Sequence, residues 1–312
     1  MPLDLRISLS KLELFCLAAE LQSFGRAAEQ SFITQPVMTA HMRSLSDRLG
    51  ADLFVRDGNR MILTQEGRVA YEWARDALAR ARSTVRQLEQ IQDGERGSVS
   101  VLAGDTIGSY LLPDVVADFT GEFPDVDVTL YVSELESTLR EVEVGKHDLA
   151  LTMAHQDIVP STVHVLTCEE IGREDLVLVG SGADVGDDVL QRRDLPGLDL
   201  LAFPKGCFRQ RLVDTFLAEA GLPETRPVME LGSTEAIKRA VRRDRGCAFL
   251  FRTSVTDELE RGELRELAIA GPQVTVPIYL IKRSGYELAP LERRLLGCVR
   301  AALKEVATAD VG

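Results

Sequence analysis

Residues 23–48 read SFGRAAEQSFITQPVMTAHMRSLSDR, and this stretch decides the fold of the N-terminal part of the chain. Ser23 stands where a helix N-cap belongs, ahead of a short helix that ends near Gln30. The residues SFI form a turn. Thr34 then caps a further helix with Pro36 in its first turn, where a missing N–H costs little. Gly50 supplies a C-terminal stop. A capped short helix, a three-residue turn and a second capped helix describe a helix-turn-helix. No acidic side chain occurs from 34 to 45, and Gln35, Thr39, His41 and Arg43 recur at helical spacing. Gln reads adenine bidentately, and Thr meets a base edge with its hydroxyl or its methyl. The free N–H groups of a helix start suit phosphates. An ordinary three-helix packing unit with a polar face would show the same spacing.

Upstream, Ser10 is the expected cap of a first helix carrying Leu14, Phe15, Leu17, Ala18 and Leu21. Downstream, LFVRDGNRMILT places two apolar strands around Asp57-Gly58-Asn59, a hairpin signal, with Arg56 and Arg60 bracketing the turn. From Gln65 to about Gln92 there is no Pro. Ala70, Ala74, Ala77, Ala81, Val85, Leu88 and Ile91 recur there at steps of three and four, close to a coiled-coil seam. This predicts a helix of about 42 Å. It serves either as a strut that pairs with a second copy or as a helix packed on its own domain. A charged linker, DGERGS, follows.

After Ser98 strands and helices alternate. SVSVLA, VDVTLYV, DLALTM, EDLVLVG, DLLAF, VMEL, CAFLF and VPIYLIK read as strands. Helices fall near 110–120, 134–144, 208–220, 233–243 and 290–305. The expected class is α/β, with a mainly parallel sheet covered by helices and split into two lobes. The cleft between lobes is the default seat of a small ligand.

The 312 residues are 45% hydrophobic and 27% charged, with a formal net charge of −13. Such a balance argues against a protein that coats a polyanion with its whole surface. Residues 1–64, however, hold seven basic and seven acidic side chains, so the remainder carries the entire excess. No run of 18 apolar residues predicts a membrane span, and MPLDLRISLSKLELF lacks a signal peptide's apolar core. The five cysteines are scattered without metal-binding spacing, as expected of reduced thiols in the cytoplasm. The four histidines, 41, 147, 155 and 164, show no metal-ligand spacing. There is no G-x-S-x-G, G-x-G-x-x-G, Walker or H-E-x-x-H motif, so neither an enzyme nor a cofactor or metal is expected.

Residues 12–67, LELFCLAAELQSFGRAAEQSFITQPVMTAHMRSLSDRLGADLFVRDGNRMILTQEG, closely resemble the LysR-type transcriptional regulators. The likeness rests on SF-x-RAA in the second helix, T-Q-P opening the next, L-x-x-x-LG at its end and LF-x-R in the wing. Farther on, GSYLLP, GKHDLAL, and ELGSTEAIKRAV with RGCAFL resemble effector-domain motifs of that family. The resemblance implies a winged helix-turn-helix over 1–64 and a linker and dimerisation helix over 65–95. A two-lobed, periplasmic-binding-protein-like effector domain would follow over 96–312, with lobe I about 96–168 and 272–305 and lobe II about 169–271. It implies double-stranded operator DNA, a small-molecule effector, RNA polymerase and a second copy as partners, in a homodimer or homotetramer, and no membrane. Base and groove contacts would fall to Gln35, Pro36, Thr39 and His41, and backbone or minor-groove contacts to Ser23, Thr34, Arg43, Arg56 and Arg60. Ala40 stands where the family often has Arg, so one common contact is missing.

By the same resemblance the effector cleft would be lined by Gly104, Asp105, Thr106, Ser133 and Glu134 from one lobe. Phe203, Lys205, Cys207, Phe208, Ser233 and Thr234 would line it from the other. Helix starts favour an anion there. Asp105 and Glu134 depart from the pattern: two carboxylates repel an anion and suit a ligand with an amine or several hydroxyls. Alternatively both face outward as helix caps. Lys205, Arg209 and Arg211 hold an anion or form a solvated face. Cys207 opens an alternative, redox-responsive regulation, although the family's peroxide sensors use a cysteine pair and no second cysteine is near in sequence. A solute-binding protein or an α/β enzyme with a fused helix-turn-helix are the remaining alternatives.

Overall fold

The computed structural model describes residues 6–93, 97–155, 165–181, 189–222 and 226–308. The chain divides into two compact units, the first Met1–Ile91 with the short segment Glu143–Lys146, the second Gln92–Val142 with His147–Gly312.

The first unit runs α1 (Leu9–Leu21), α2 (Phe24–Gln30), α3 (Gln35–Leu49), β1 (Phe54–Asp57), β2 (Arg60–Leu63) and α4 (Gln65–Asp93). The cap of α1 is Ser8 rather than Ser10, its hydroxyl accepting the Lys11 amide at 3.4 Å. Two serines lie two residues apart there, and the earlier one adds a half-turn to the helix. Ser23 caps α2 by accepting the Arg26 amide at 3.3 Å. Gly50 ends α3 at φ 69°, the left-handed region that glycine enters without strain. Met38, Met42 and Leu45 turn inward from α3 onto Leu12, Phe15 and Ala27. Phe54 of the hairpin packs edge-on against Phe15 and Phe24 at 5.5 and 5.0 Å, and the Met61 amide donates to the Gln22 carbonyl. The wing is thereby tied to the α1–α2 corner.

The apolar stripe of α4 divides in two. Ala70, Ala74, Ala77 and Leu78 pack on the first unit's own core. Val85 and Leu88 stand about half exposed. The side chain of Ile91 and the linker residues 94–96, which include the expected boundary at 95/96, lie outside the described residues.

The second unit continues β3 (Gly97–Ala103), α5 (Leu112–Glu122), β4 (Val126–Val132), α6 (Leu135–Glu143), β5 (Leu149–Met153), β6 (Leu166–Ser181) and β7 (Leu200–Ala202). Then follow α7 (Phe208–Glu219), β8 (Met229–Glu230), α8 (Thr234–Arg242), β9 (Cys247–Phe251), α9 (Thr256–Glu260), β10 (Leu264–Glu266), β11 (Val274–Arg283) and α10 (Pro290–Thr308). The strand order is β4-β3-β5-β11-β6-β9-β7-β8, with β10 also on β6. The sheet is mixed, not mainly parallel. Parallel pairs form at the flanks, β3 with β4 and β5, and β7 with β8 and β9. Its centre is antiparallel, where β6 and β11 run side by side and pair with β9 and β5. EDLVLVG is only the second half of the 16-residue β6. Its first half, LTCEEIGR, is polar and half-exposed, which hid it from a reading by apolar runs. The two long strands carry the chain from one lobe to the other, and their pairing shifts register between Ile278 and Tyr279. Helices cover both faces: α5, α7 and α10 on one core, with α6 and α8 on smaller ones across the sheet.

Candidate DNA-binding face and inter-lobe cavity

α3 buries one face and exposes the other. Its exposed groove is lined by Gln35, Pro36, Thr39, Ala40, Arg43, Ser44 and Asp47. Thr34 occupies the N-cap position with extended backbone, and its exposed hydroxyl makes no capping bond. The Thr39 hydroxyl donates to the Gln35 carbonyl at 2.9 Å, leaving its methyl and lone pairs outward. His41 is half-buried and outside the groove. Four residues of the helix separate neighbours on one face, and His41 follows Met38, an inward position, by three. Ser23 spends its hydroxyl on the α2 cap. Arg56 and Arg60 are exposed on the wing, with Arg56 Nε bonded to the Gly58 carbonyl at 3.1 Å. The structure thus brings Gln35, Pro36, Thr39 and Arg43 onto one surface.

In the second unit a cavity of about 230 Å³ opens between the lobes. The chain after β3 forms its floor. Gly104 is pinned there by its amide bond to the Leu151 carbonyl, and a Cβ on it would stand 2.6 Å from Thr152 Oγ1. A wide π-type turn at Ile107–Leu111 follows, ahead of Pro113 at the α5 start. Such turns are frequent at functional sites. Thr106 is buried. Gly104, Asp105, Thr106, Ser133, Glu134, Cys207 and Phe208 all line the cavity. Thr152, which no motif singled out, adds a buried hydroxyl, and Ile107, Val132, Leu135, Met153, Leu212 and Phe251 add apolar wall.

Asp105 does not face outward as a cap. Its carboxylate accepts from Arg209 Nη1 at 2.6 Å across the cleft. Arg209 is itself fixed: Nη2 donates to the Gly232 carbonyl at 2.9 Å and the guanidinium lies over the Phe203 ring at 4.4 Å. Glu134 is exposed at the rim. A second tie joins the lobes, where the Tyr110 hydroxyl donates to Glu235 at 2.9 Å and the buried Lys238 lies against the Tyr110 ring. Burial pushes the Tyr110 hydroxyl up from its ordinary value, and its bond to Glu235 adds to this. Burial alone would raise the Glu235 carboxyl, but bonds from Lys238 and Tyr110 outweigh it and hold the group below its ordinary 4.5.

Four expected residues lie elsewhere. Phe203 and Lys205 border a separate opening on the β7 side of α7. Ser233 spends its hydroxyl capping α8, accepting the Ala236 amide at 3.2 Å, and Thr234 is buried outside the cavity lining. Arg209 and Tyr110, the residues that tie the lobes together, are over a hundred positions from their partners, and no local pattern signals such a pair. Cys207 caps α7, its sulfur accepting the Gln210 amide at 3.5 Å. All five cysteines are free thiols. Burial pushes Cys16 up to about 12 and Cys247 up to about 11, which holds both as inert thiols. Among the described residues no helix is long and apolar enough to cross a membrane.

Comparison with known proteins agrees with both halves. Residues 9–68 match the family of bacterial regulatory helix-turn-helix proteins of the LysR type, and residues 92–304 match the LysR substrate binding domain. A probable RuBisCO transcriptional regulator of Thalassiosira pseudonana is 28% identical over 283 residues, 89% of this chain and 92% of that one. A protein of the same description from Trichormus variabilis is 29% identical over 282 residues, 89% of this chain and 83% of that one. Among solved structures, a full-length OxyR from Pseudomonas aeruginosa shares the fold at a TM-score of 0.65 and 19% identity, covering 96% of this chain and 95% of that one. CbnR, solved with its target DNA, does so at 0.59 and 21%, covering 95% and 100%. With its helix-turn-helix and its two-lobed domain both matched, the chain belongs to the LysR family of transcriptional regulators.

Proposed function

We propose that this regulator binds double-stranded operator DNA through α3 and the wing, and that a small molecule seated in the inter-lobe cavity sets its output. The observation that carries the reading is the outward face of α3, where Gln35, Pro36, Thr39 and Arg43 stand together on a helix start free of acidic side chains. Gln35 and the Thr39 methyl read base edges. Thr34, Arg43, Arg56 and Arg60 hold phosphates, and such contacts position the protein without reading sequence. His41 and Ser23 support the helices from behind this face. The division of labour follows the chain: 1–64 for DNA, 65–95 for pairing through α4, 96–312 for the effector. The half-exposed Val85 and Leu88 suit a partner helix in a homodimer, or in a tetramer built of two dimers. Work on operator DNA, with RNA polymerase as a further partner, places the protein in the cytoplasm.

The acidic net charge makes the salt dependence of binding a direct test. Fluorescence anisotropy of the full chain on a duplex carrying its site should show log K falling linearly with log salt as contacted phosphates release counterions. Arg43→Ala should flatten that slope by about one unit while weakening all sequences alike. Salt-independent binding, or an unchanged slope in Arg43→Ala, would contradict the assignment of this face.

A further inference from the structure

From the charge arrangement in the cavity we infer that its ligand is a zwitterion, a small α-amino acid with an apolar side chain. The inference rests on the cavity being the effector site and names what that site takes. Among the described residues one cation and two carboxylates face the space: Arg209, Asp105 and, at the rim, Glu134. Arg209 cannot follow Asp105 away, because Gly232 and Phe203 hold its other amino group and its face. A ligand carrying only a carboxylate would take Arg209 and leave Asp105 charged, unpaired and beside Glu134. A ligand carrying only an amine would take Asp105 and leave Arg209 without a carboxylate. A zwitterion inserted into the 2.6 Å pair supplies both partners, its carboxylate to Arg209 and its ammonium to Asp105. The lobes contribute one charge each, so such a ligand replaces the direct clasp with a bridged one. That gives it different affinity for two lobe spacings, the requirement for any ligand that shifts a conformational balance. Beyond the charges the walls are apolar, from Ile107, Leu135, Met153 and Phe251. The 230 Å³ corresponds to about seven waters at liquid density, room for a single amino acid rather than for a peptide.

Calorimetry of the full chain with L-valine, L-leucine, L-isoleucine and L-methionine tests this. The tightest of the four is compared with its two half-charged analogues, the acid without the amine and the amine without the carboxyl. At least one amino acid should bind with Kd below about 1 mM. Both analogues should bind at least about tenfold more weakly, since each forfeits a bond between charged groups. Asp105→Asn should erase the preference over the acid, and Arg209→Gln the preference over the amine. No binding of any of the four at millimolar concentration overturns the inference. So does an acid that binds as tightly as its amino acid, or an Asp105→Asn variant that keeps the full preference. Leu135→Trp, which fills the cavity, separates the two levels of the reading. A single-charge ligand that Leu135→Trp abolishes leaves the cavity as the effector site and removes the zwitterion. Binding that Leu135→Trp leaves intact removes both.

Discussion

Gly67 shows how closely the first unit is fitted at one residue. It lies in the first turn of α4, and a Cβ built on it would stand 2.0 Å from the Leu53 carbonyl oxygen. Its amide donates to Thr64 Oγ1 at 2.8 Å, and the Thr64 hydroxyl donates to the Asp52 carbonyl. The base of the wing and the start of α4 are one hydrogen-bonded corner. Gly67→Ala forces backbone atoms apart and should cost about 1–3 kcal/mol of stability, read from the denaturant midpoint. An unchanged midpoint would mean that the corner relaxes freely. In the second unit, Glu235 makes a pH prediction. Its folded-state value lies below the ordinary 4.5, with bonds from Lys238 and Tyr110 prevailing over burial. Its stabilisation is therefore complete above that value and is lost as pH falls below it, when the folded group takes up its proton. Melting curves of wild type and Glu235→Gln between about pH 3 and 6 should converge at the acid end. Parallel curves would show that the bonds Glu235 receives from Lys238 and Tyr110 contribute nothing to the fold.

Among the elements, α4 carries the sharpest expectation. Its stripe reads in sequence as one continuous seam, yet Ala70, Ala74 and Ala77 are taken up by the first unit's core while Val85 and Leu88 are left exposed. Periodicity reveals that a face is apolar; it does not say against what the face is buried. The proposed pairing therefore falls on the second half of the helix. Leu88→Asp puts a charge in the seam and should shift the protein toward monomer in sedimentation, with a loss of about 1.5–3 kcal/mol per buried Leu. An unchanged assembly at low micromolar concentration would place the interface elsewhere. The same distinction explains what the sequence showed and hid across the fold. The helix-turn-helix was legible because cap, turn and glycine stop are local chemistry: Ser23 and Gly50 each act within a few residues, and Thr34 marks the start of α3 by its extended N-cap backbone although its hydroxyl makes no capping bond. The flanking βα units were legible by alternation. β6 was half missed because its first half, carrying Glu169, Glu170 and Arg173, pairs with β11 on both register and backbone while keeping a polar surface. The Asp105–Arg209 pair was legible only as two separate charges, since what joins them is the return of the chain through β6 and β7 to the far wall of the cleft.

For the molecule as a whole, an acidic chain carries a charge-balanced DNA-reading part. Net charge governs solubility and long-range steering, not the chemistry of one face, so a value of −13 is compatible with phosphate binding. Specificity then depends on few groups. Ala40 offers no side-chain donor on the exposed face of α3, so in the proposed reading base recognition concentrates on Gln35 and Thr39. Selection of duplexes from a random library by the full chain, run in parallel with Gln35→Ala, tests this most directly. A paired chain should enrich one motif with two related half-sites. Gln35→Ala should bind that motif more weakly by about 1–3 kcal/mol and lose preference at one position in each half. Enrichment of no motif, or of an identical motif by the variant with undiminished affinity, would contradict the account.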